Sequence, residues 1–139
     1  MTRIITAGPP DADLFQTVHD DVFDGPIRAD WLHDYLDDPR QHILLALDGA
    51  QVVAMCSGAH HHHPDKPRHM WINELGVAGP WRRQGIATRL IAALCDHARA
   101  LECTEIWVVA DPTEEAEGFY TSLGWPRTGE RLAMFATPL

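Results

Sequence analysis

The sequence has few features of a secreted, membrane-spanning or disulfide-bonded protein. No apolar run approaches the roughly 20 residues that a membrane-spanning helix needs, and the N-terminus MTRIITAGPP has no apolar signal-peptide core. The three cysteines, Cys56, Cys95 and Cys103, are odd in number and lack metal or redox spacing. We therefore expect a cytoplasmic protein with free or buried thiols and no membrane association.

Positive charge is also scarce. The formal net charge is -9, which argues against a nucleic-acid partner because phosphate-backbone binding depends on a basic surface. An acidic surface suits a cationic small molecule or a basic peptide, although acidity for solubility alone explains the charge equally well. A length of 139 residues, 45% hydrophobic and 22% charged, indicates one globular domain over residues 1–139.

Apolar periodicity and turn signals predict an alternation of strands and helices. Asp11 is expected to cap a first helix, and Gly49 marks a hairpin turn. Asp111 and Pro112 open the last helix, and Gly124 closes it. The predicted strands are residues 4–5, 42–47, 51–59, 69–77, 105–110 and 130–137, and the other helices cover residues 27–36 and 86–101. The order predicts an α/β fold, a mixed and mostly antiparallel central sheet flanked by helices on both sides.

The central stretch Val77 to Leu90, VAGPWRRQGIATRL, runs from the end of an apolar strand through a basic glycine loop into a helix. The first turn of a helix has backbone N–H groups without partners and a partial positive charge, so anions bind there. Gly85 allows close approach of the backbone to a phosphate, and Arg82 and Arg83 add full charges. The stretch therefore predicts a phosphate-binding site, although it has neither the GxxxxGK[ST] nor the GxGxxG pattern.

The pattern Arg82-x-x-Gly85-x-Ala87 follows a strand that ends in Leu75-x-Val77, and Phe119-Tyr120-x-x-Leu123-Gly124-Trp125 lies downstream. This combination resembles the GNAT superfamily of acetyl-CoA-dependent N-acetyltransferases, most closely the aminoglycoside 3-N-acetyltransferases. The chain departs from that subfamily at Glu74, where an Asp is common, and in a shorter segment over residues 112–118. The resemblance implies a GNAT-like fold with acetyl-CoA as co-substrate. The implied cofactor contacts are Leu75, Val77, Arg82, Arg83, Gln84, Gly85, Ile86, Ala87, Thr88 and Asp111.

The resemblance also implies three catalytic roles. Glu74 is the leading base for deprotonating the amine, with Asp111 and the histidine run as competitors and with a solvent-facing Glu74 as the alternative. The N–H of Val77 is expected to bind the oxyanion beside a bulge that Gly76 and Gly79 permit. Tyr120 would protonate the leaving thiolate, or else only pack on its helix.

Two other features have a structural interpretation beside the functional one. Asp111 also fits an N-cap with Glu114 as its capping-box partner. The run His60 to His63 is expected at a solvated strand end, with adventitious metal binding as the less favoured alternative, and we predict no metal site.

The sequence thus predicts an N-acetyltransferase that acts by direct attack in a ternary complex, without an acetyl-cysteine. The acidic residues around 20–38 favour a cationic acceptor such as an aminoglycoside, which would make the enzyme an antibiotic-resistance factor. Two alternatives stay open: a peptide or protein amine as acceptor, and a non-catalytic CoA-binding sensor or metal-binding module. The family also suggests a homodimer.

Overall fold

The computed structural model describes all 139 residues, which divide into two compact units, Met1–Val109 and Ala110–Leu139. The first unit holds a five-stranded sheet in the order β1-β2-β3-β4-β5. The strands are β1 (Arg3–Ala7), β2 (Gln41–Asp48), β3 (Gln51–His61), β4 (His69–Val77) and β5 (Glu105–Val108). Neighbours from β1 to β4 are antiparallel, and β4 and β5 are parallel. The predicted mixed, mostly antiparallel sheet is confirmed.

The first unit also contains a 3₁₀ helix at Pro9–Gln16, helix α1 (Ala29–Asp37), a short 3₁₀ turn at Gly79–Trp81 and helix α2 (Ile86–Ala100). The second unit contains helix α3 (Glu114–Ser122). None of the helices is both long and apolar enough to cross a membrane.

Strands β2 and β3 form the hairpin that the sequence predicts, and Gly49 takes a positive φ of 58° in its turn. Nearly every residue of both strands is buried because helices cover both faces of the sheet. On one face, Ile43, Leu45 and Leu47 pack in a cluster with Phe15, Val22 and residues of α1. Alternate residues such as Leu44 point to the opposite face, which α2 covers with Leu90 and Leu94.

Several predicted details of the secondary structure are wrong, in two helix caps and in the last two predicted strands. Asp11 does not cap a helix, because Gly8 is the N-cap of the 3₁₀ helix and the Asp11 carboxylate accepts the Gly8 N–H at 2.8 Å. Asp111 does not cap α3, because the Thr113 hydroxyl accepts the Ala116 N–H at 3.2 Å. Strand β5 ends at Val108 and is half exposed, and residues 130–137 form no strand.

Candidate active site

The carboxyl half of β4 has an open edge. Strand β5 pairs with His69 to Ile72 only, so residues 73–77 have no neighbouring strand on that side. The Ala78 N–H donates to Val53 O at 2.9 Å, so the backbone groups of Ala78 point towards β3. In an antiparallel pair, residues whose backbone groups point to the partner strand alternate with residues whose backbone groups point to the opposite side. The backbone groups of Leu75 and Val77 therefore point to the open edge, where the N–H groups of both residues and the Leu75 carbonyl are available to a ligand, whereas the Val77 carbonyl accepts the Arg82 Nε–H.

A β-bulge determines the direction of the Glu74 side chain. Ile72 lies opposite Gly58 and Glu74 lies opposite Ser57, so Asn73 is the extra residue in β4. Because the bulge interrupts the alternation, Ile72 faces α2 and Glu74 lies on the α1 face of the sheet. The bulge is at Asn73 and not at Gly76 or Gly79, where the sequence placed it. The side chain of Glu74 is exposed on that face.

Tyr35 of α1 lies on the same face as Glu74. Its hydroxyl donates to the His42 carbonyl at 2.9 Å. Burial raises the pKa of this phenol, and electrostatic interaction with Cys56 and Glu74 adds to the increase, so Tyr35 stays protonated as a fixed hydrogen-bond donor.

Residues 79–85, here called the cofactor loop, are folded on themselves. The Arg82 Nε donates to Val77 O at 3.0 Å, and the Gln84 Nε2 donates to Pro80 O at 3.3 Å. Arg83 and Gly85 have positive φ values of 60° and 78°. A left-handed backbone is costly for arginine, and such strain is concentrated at ligand-binding sites. Turns with left-handed residues also direct successive backbone N–H groups into an anion-binding concavity.

Helix α2 begins immediately after this loop with uncapped backbone N–H groups. Its N-cap is Gly85, and no side chain accepts a hydrogen bond from the first turn, which contains Ile86, Ala87 and Thr88. An added Cβ at Gly85 would meet no atom within 4 Å, so the glycine is required by its backbone conformation and leaves space for a ligand. The Ile86 side chain is buried, which makes its backbone N–H its only contribution to an anion site. The residues present therefore suit the pyrophosphate of CoA.

A cavity of about 1050 Å³ lies between the 3₁₀ helix, the connecting segment and α1. Its apolar wall includes Phe15, Phe23 and Leu32, and its rim carries four carboxylates and no lysine or arginine. The carboxylates are Asp13, Asp20, Asp24 and Asp37. The volume is at the upper end for small-molecule sites, and the charge favours a cation.

Not all of the acidic residues predicted around this site contribute free charge. Asp30 is bonded to Arg28, and Asp38 is bonded to Arg40 in two-point contacts. The Arg40 guanidinium lowers the pKa of the Asp38 carboxyl to about 2. These two pairs are locally neutral and lie outside the cavity lining. At the rim, Asp37 lies 3.1 Å from the Nδ1 of His33, so Asp13, Asp20 and Asp24 are the rim carboxylates without an ion pair.

Asp111 and Tyr120 lie in the second unit. Asp111 is exposed, and its carbonyl accepts the Thr113 N–H at 2.8 Å. The half-buried Tyr120 ring lies 5.0 Å from Phe119 and 5.6 Å from Trp125, centroid to centroid. The aromatic residues of the downstream motif thus pack on one another around the phenol.

The histidine run forms a solvated strand end as expected at His61 to His63, which are exposed where β3 ends, but not at His60. His60 is only 6% exposed, and its Nδ1 lies 2.7 Å from the Nε2 of His42. The Nδ1 of His42 lies 2.9 Å from the Nε2 of His97 on α2, so the three rings form a chain. Both nitrogens of His42 are occupied by other rings, and no group of three or more His, Cys, Asp or Glu residues in the structure is arranged to hold a metal ion. Burial, together with the smaller effects of His97 and His60, lowers the pKa of His42 to about 4.

The three cysteines form no disulfide. Burial raises the pKa of the Cys56 thiol to about 12 and also raises the pKa of Cys95 and of Cys103. Each thiol therefore resists ionisation, which is the opposite of what a nucleophilic cysteine needs.

The sequence reasoning missed several residues that shape the site. Asp21 accepts the Gly79 N–H, Trp81 donates to Asp48, and Phe23 lines the cavity. Asp21 lay in the acidic stretch that the sequence singled out, but its partner is 58 residues away. Trp81 lay inside the phosphate motif and carried no separate signal.

A model of the acetyltransferase (GNAT) family matches residues 12–125 of this chain. Two similar solved structures are aminoglycoside acetyltransferases from uncultured soil metagenomic samples. One, HMB0005, has a TM-score of 0.80 at 23% identity and covers 100% of this chain and 99% of that chain. The other, meta-AAC0020 in complex with trehalose, has a TM-score of 0.84 at 22% identity, and the match covers 99% of this chain and 96% of that chain.

A ribosomal-protein-alanine N-acetyltransferase from Brucella melitensis is also similar, with a TM-score of 0.74 at 18% identity, and covers 99% of this chain and 100% of that chain. At these identities the structural likeness shows a shared fold. A search of curated protein sequences finds no match to this chain.

Proposed function

This chain belongs to the acetyltransferase (GNAT) family, whose members use acetyl-CoA as acetyl donor. We propose that its acceptor is a cationic small-molecule amine. The observation that carries the proposal is the 1050 Å³ cavity, which has four carboxylates and no lysine or arginine. A multiply charged amine of the size of an aminoglycoside would gain favourable electrostatic energy at this rim, where Asp13, Asp20 and Asp24 have no ion-pair partner. The meta-AAC0020 acetyltransferase, of the same fold, has been crystallised with sisomicin.

In the proposed reaction, bound acetyl-CoA supplies a thioester whose carbonyl carbon is electrophilic. Glu74 accepts a proton from the attacking amine, directly or through one water, so that a neutral nitrogen forms the new C–N bond. The N–H of Val77 donates to the carbonyl oxygen as it gains negative charge. Tyr120 donates its proton to the thiolate as the C–S bond breaks, and the nitrogen loses its second proton to solvent, which returns a proton to the Tyr120 phenolate. The products are the N-acetylated amine and CoA. The role of Tyr120 rests on the family motif.

Cofactor binding is assigned to the cofactor loop and the neighbouring backbone. The N–H groups of Gly85, Ile86, Ala87 and Thr88 would bind the pyrophosphate, with Arg82, Arg83 and Gln84 around it. The outward backbone groups of Leu75 would bind the pantetheine arm in the manner of an added strand, and the Val77 N–H would contact the thioester carbonyl at the end of that arm. Asp111 is assigned to the same arm by the family motif.

Direct attack in a ternary complex is favoured over an acetyl-enzyme. A cysteine relay needs a thiolate near neutral pH, and burial raises the pKa of all three thiols. No step in the proposed reaction needs a metal ion.

The test is release of free CoA thiol from acetyl-CoA by purified protein, with aminoglycosides, polyamines, amino acids and short peptides as acceptors. We expect turnover with aminoglycosides or polyamines and a KM for the amine that rises with ionic strength. Turnover restricted to uncharged or peptide amines would refute the cationic acceptor. CoA binding without turnover on any amine would favour the non-catalytic alternative.

A matched pair of variants separates the cavity from general surface charge. Asp24 lines the cavity, whereas Asp34 lies on the exposed surface of α1 outside it. We expect Asp24→Asn to raise the KM for the amine about three- to tenfold, on the order of one lost charge-assisted contact, with the KM for acetyl-CoA unchanged. Asp34→Asn removes the same charge and should change neither value. Equal effects of the two variants would contradict the assignment of the cavity as acceptor site.

A further inference from the structure

One segment of the chain borders both the acceptor cavity and the cofactor loop. Residues 17–22, here called the shared segment, run beside β3 in an isolated parallel bridge between Val18 and Val52. The Val52 N–H donates to Thr17 O at 2.8 Å, and the His19 N–H donates to Val52 O at 2.9 Å. Val18, His19 and Asp20 line the cavity. The shared segment is therefore a wall of the cavity that is hydrogen-bonded to the sheet.

The next residue, Asp21, reaches the cofactor loop. Its Oδ2 accepts the Gly79 N–H at 3.2 Å, across 58 residues of sequence. The Asp21 N–H donates to the Nδ1 of His19 at 3.2 Å, and the His19 ring meets the Trp81 ring edge-on at 5.4 Å between centroids. The shared segment thus contacts both ends of the 3₁₀ turn with which the cofactor loop begins.

Two further contacts restrict this junction. The Trp81 Nε1 donates to the Asp48 Oδ2 in the β2–β3 turn at 2.9 Å. An added Cβ at Gly76 would lie 2.9 Å from the Val22 carbonyl oxygen, so Gly76 is the residue that lets the shared segment approach β4 this closely. The start of the cofactor loop is therefore held by the shared segment on one side and by the hairpin turn on the other.

We propose that Asp21 and Trp81 are positioning residues that hold the cofactor loop in its anion-binding conformation and couple it to the acceptor cavity wall. This inference rests on the proposed function. A loop that is already ordered loses less conformational entropy when it binds a ligand, so these contacts tighten CoA binding without touching CoA. Because the same segment forms the cavity wall, a ligand that orders the loop also orders the wall, which is a coupling between two sites through one element.

The first measurement is the affinity for CoA by titration calorimetry, with matched variants. Asp21→Ala should weaken CoA binding about three- to tenfold, the range expected for loss of one hydrogen bond. Asp21→Asn should restore most of the affinity because its amide oxygen can accept the Gly79 N–H. Asp34→Ala removes the same charge from the exposed surface of α1, outside both the cavity lining and the shared segment, and should keep the wild-type affinity. Trp81→Phe, which loses only the N–H donated to Asp48, should weaken CoA binding in the same direction.

The second measurement is hydrogen exchange with and without CoA, which reports the coupling directly. In the wild type we expect CoA to slow exchange in residues 79–88 and also in residues 17–24. In Asp21→Ala at saturating CoA, protection should remain in residues 79–88 and be lost in residues 17–24. A general loss of stability would raise exchange throughout the sheet and would not produce this pattern.

The outcomes are distinguishable. If the wild type binds CoA but Asp21→Ala binds it equally well, or if CoA leaves residues 17–24 unprotected in the wild type, the positioning role is refuted and the proposed function stands. If the wild type does not bind CoA at all, both the proposed function and this inference are refuted.

Discussion

Acidification should destabilise this protein through the buried chain of His60, His42 and His97, and replacing His42 with leucine should remove much of that effect. The pKa of His42 is about 4 in the folded protein, against an ordinary value of 6.5. Because the folded pKa is the lower one, the unfolded chain takes up the proton first as the pH falls. The stabilisation is therefore complete above pH 6.5 and is lost as the pH falls towards 4.

The expected magnitude follows from the two pKa values. Between pH 7.5 and pH 4.5 the free energy of unfolding should fall by about 2.5 kcal/mol because of His42 alone. His60 and His97 also have lowered pKa values and add to the loss, whereas the charge of Asp38 raises the pKa of His42 and opposes it. The Asp38 carboxyl, with a pKa of about 2, contributes mainly below this pH window.

The geometry of the three histidine rings explains why they resist taking up more than one added proton. Each of its two ring-to-ring contacts holds one hydrogen, and each end of the chain has one outer nitrogen. When all three rings are neutral, their three N–H hydrogens occupy the two ring-to-ring contacts and one of the two outer nitrogens. One added proton can therefore bind the outer nitrogen at the other end. A second added proton would put two hydrogens into one contact and break it. We therefore expect the three rings to titrate as a coupled unit.

The assay is urea unfolding followed by the fluorescence of the five tryptophans at several pH values from 7.5 to 4.5. His42→Leu should be less stable at pH 7.5, by about 1–3 kcal/mol, because it leaves ring nitrogens of His60 and His97 without partners. Its loss on acidification should be smaller than that of the wild type by about 2.5 kcal/mol. His61→Leu, which replaces an exposed histidine at the end of β3 outside the three-ring chain, should keep most of the wild-type acid loss. Equal acid losses in the wild type and His42→Leu would refute the reasoning.

Three further predictions concern single sites. Glu74→Gln should lower kcat by about two to four powers of ten, the typical contribution of a general base, with the CoA affinity unchanged by calorimetry; unchanged turnover would remove Glu74 from the mechanism. Gly76→Ala should destabilise the protein by about 1–3 kcal/mol in urea unfolding, because the added Cβ would lie 2.9 Å from the Val22 carbonyl oxygen. The control Gly118→Ala in α3, where an added Cβ meets no atom within 4 Å, should instead increase helix stability by up to about 1 kcal/mol. An unchanged stability of Gly76→Ala would contradict the close approach of Val22 to β4. Cys56 should stay unreactive towards a thiol reagent at pH 8 in the folded protein and react fully in denaturant, because burial raises its pKa to about 12; rapid labelling of Cys56 in the native state would argue against that burial.

The sequence by itself determined the features that depend on local pattern. The bounds of β4 agree with the prediction, and the β2–β3 hairpin and the long helix after Gly85 lie within a few residues of their predicted positions. Each is fixed by contacts between residues close in sequence, such as a turn that needs the positive φ of Gly49 or a helix whose apolar side recurs every three or four residues. The strand, glycine and helix N-terminus on which the proposed anion site depends were readable for the same reason, because they follow one another in the chain.

Other features were decided only by tertiary structure. The side of the sheet that Glu74 occupies depends on a bulge at Asn73, and a bulge appears only when two strands are paired. The tail over residues 130–137 has a strand-like composition but forms no strand, because a strand needs a hydrogen-bonding neighbour that composition does not provide. The contact of Asp21 with Gly79 spans 58 residues, and that of His42 with His97 spans 55. Such contacts depend on how distant segments pack, and no local pattern in the sequence encodes that distance.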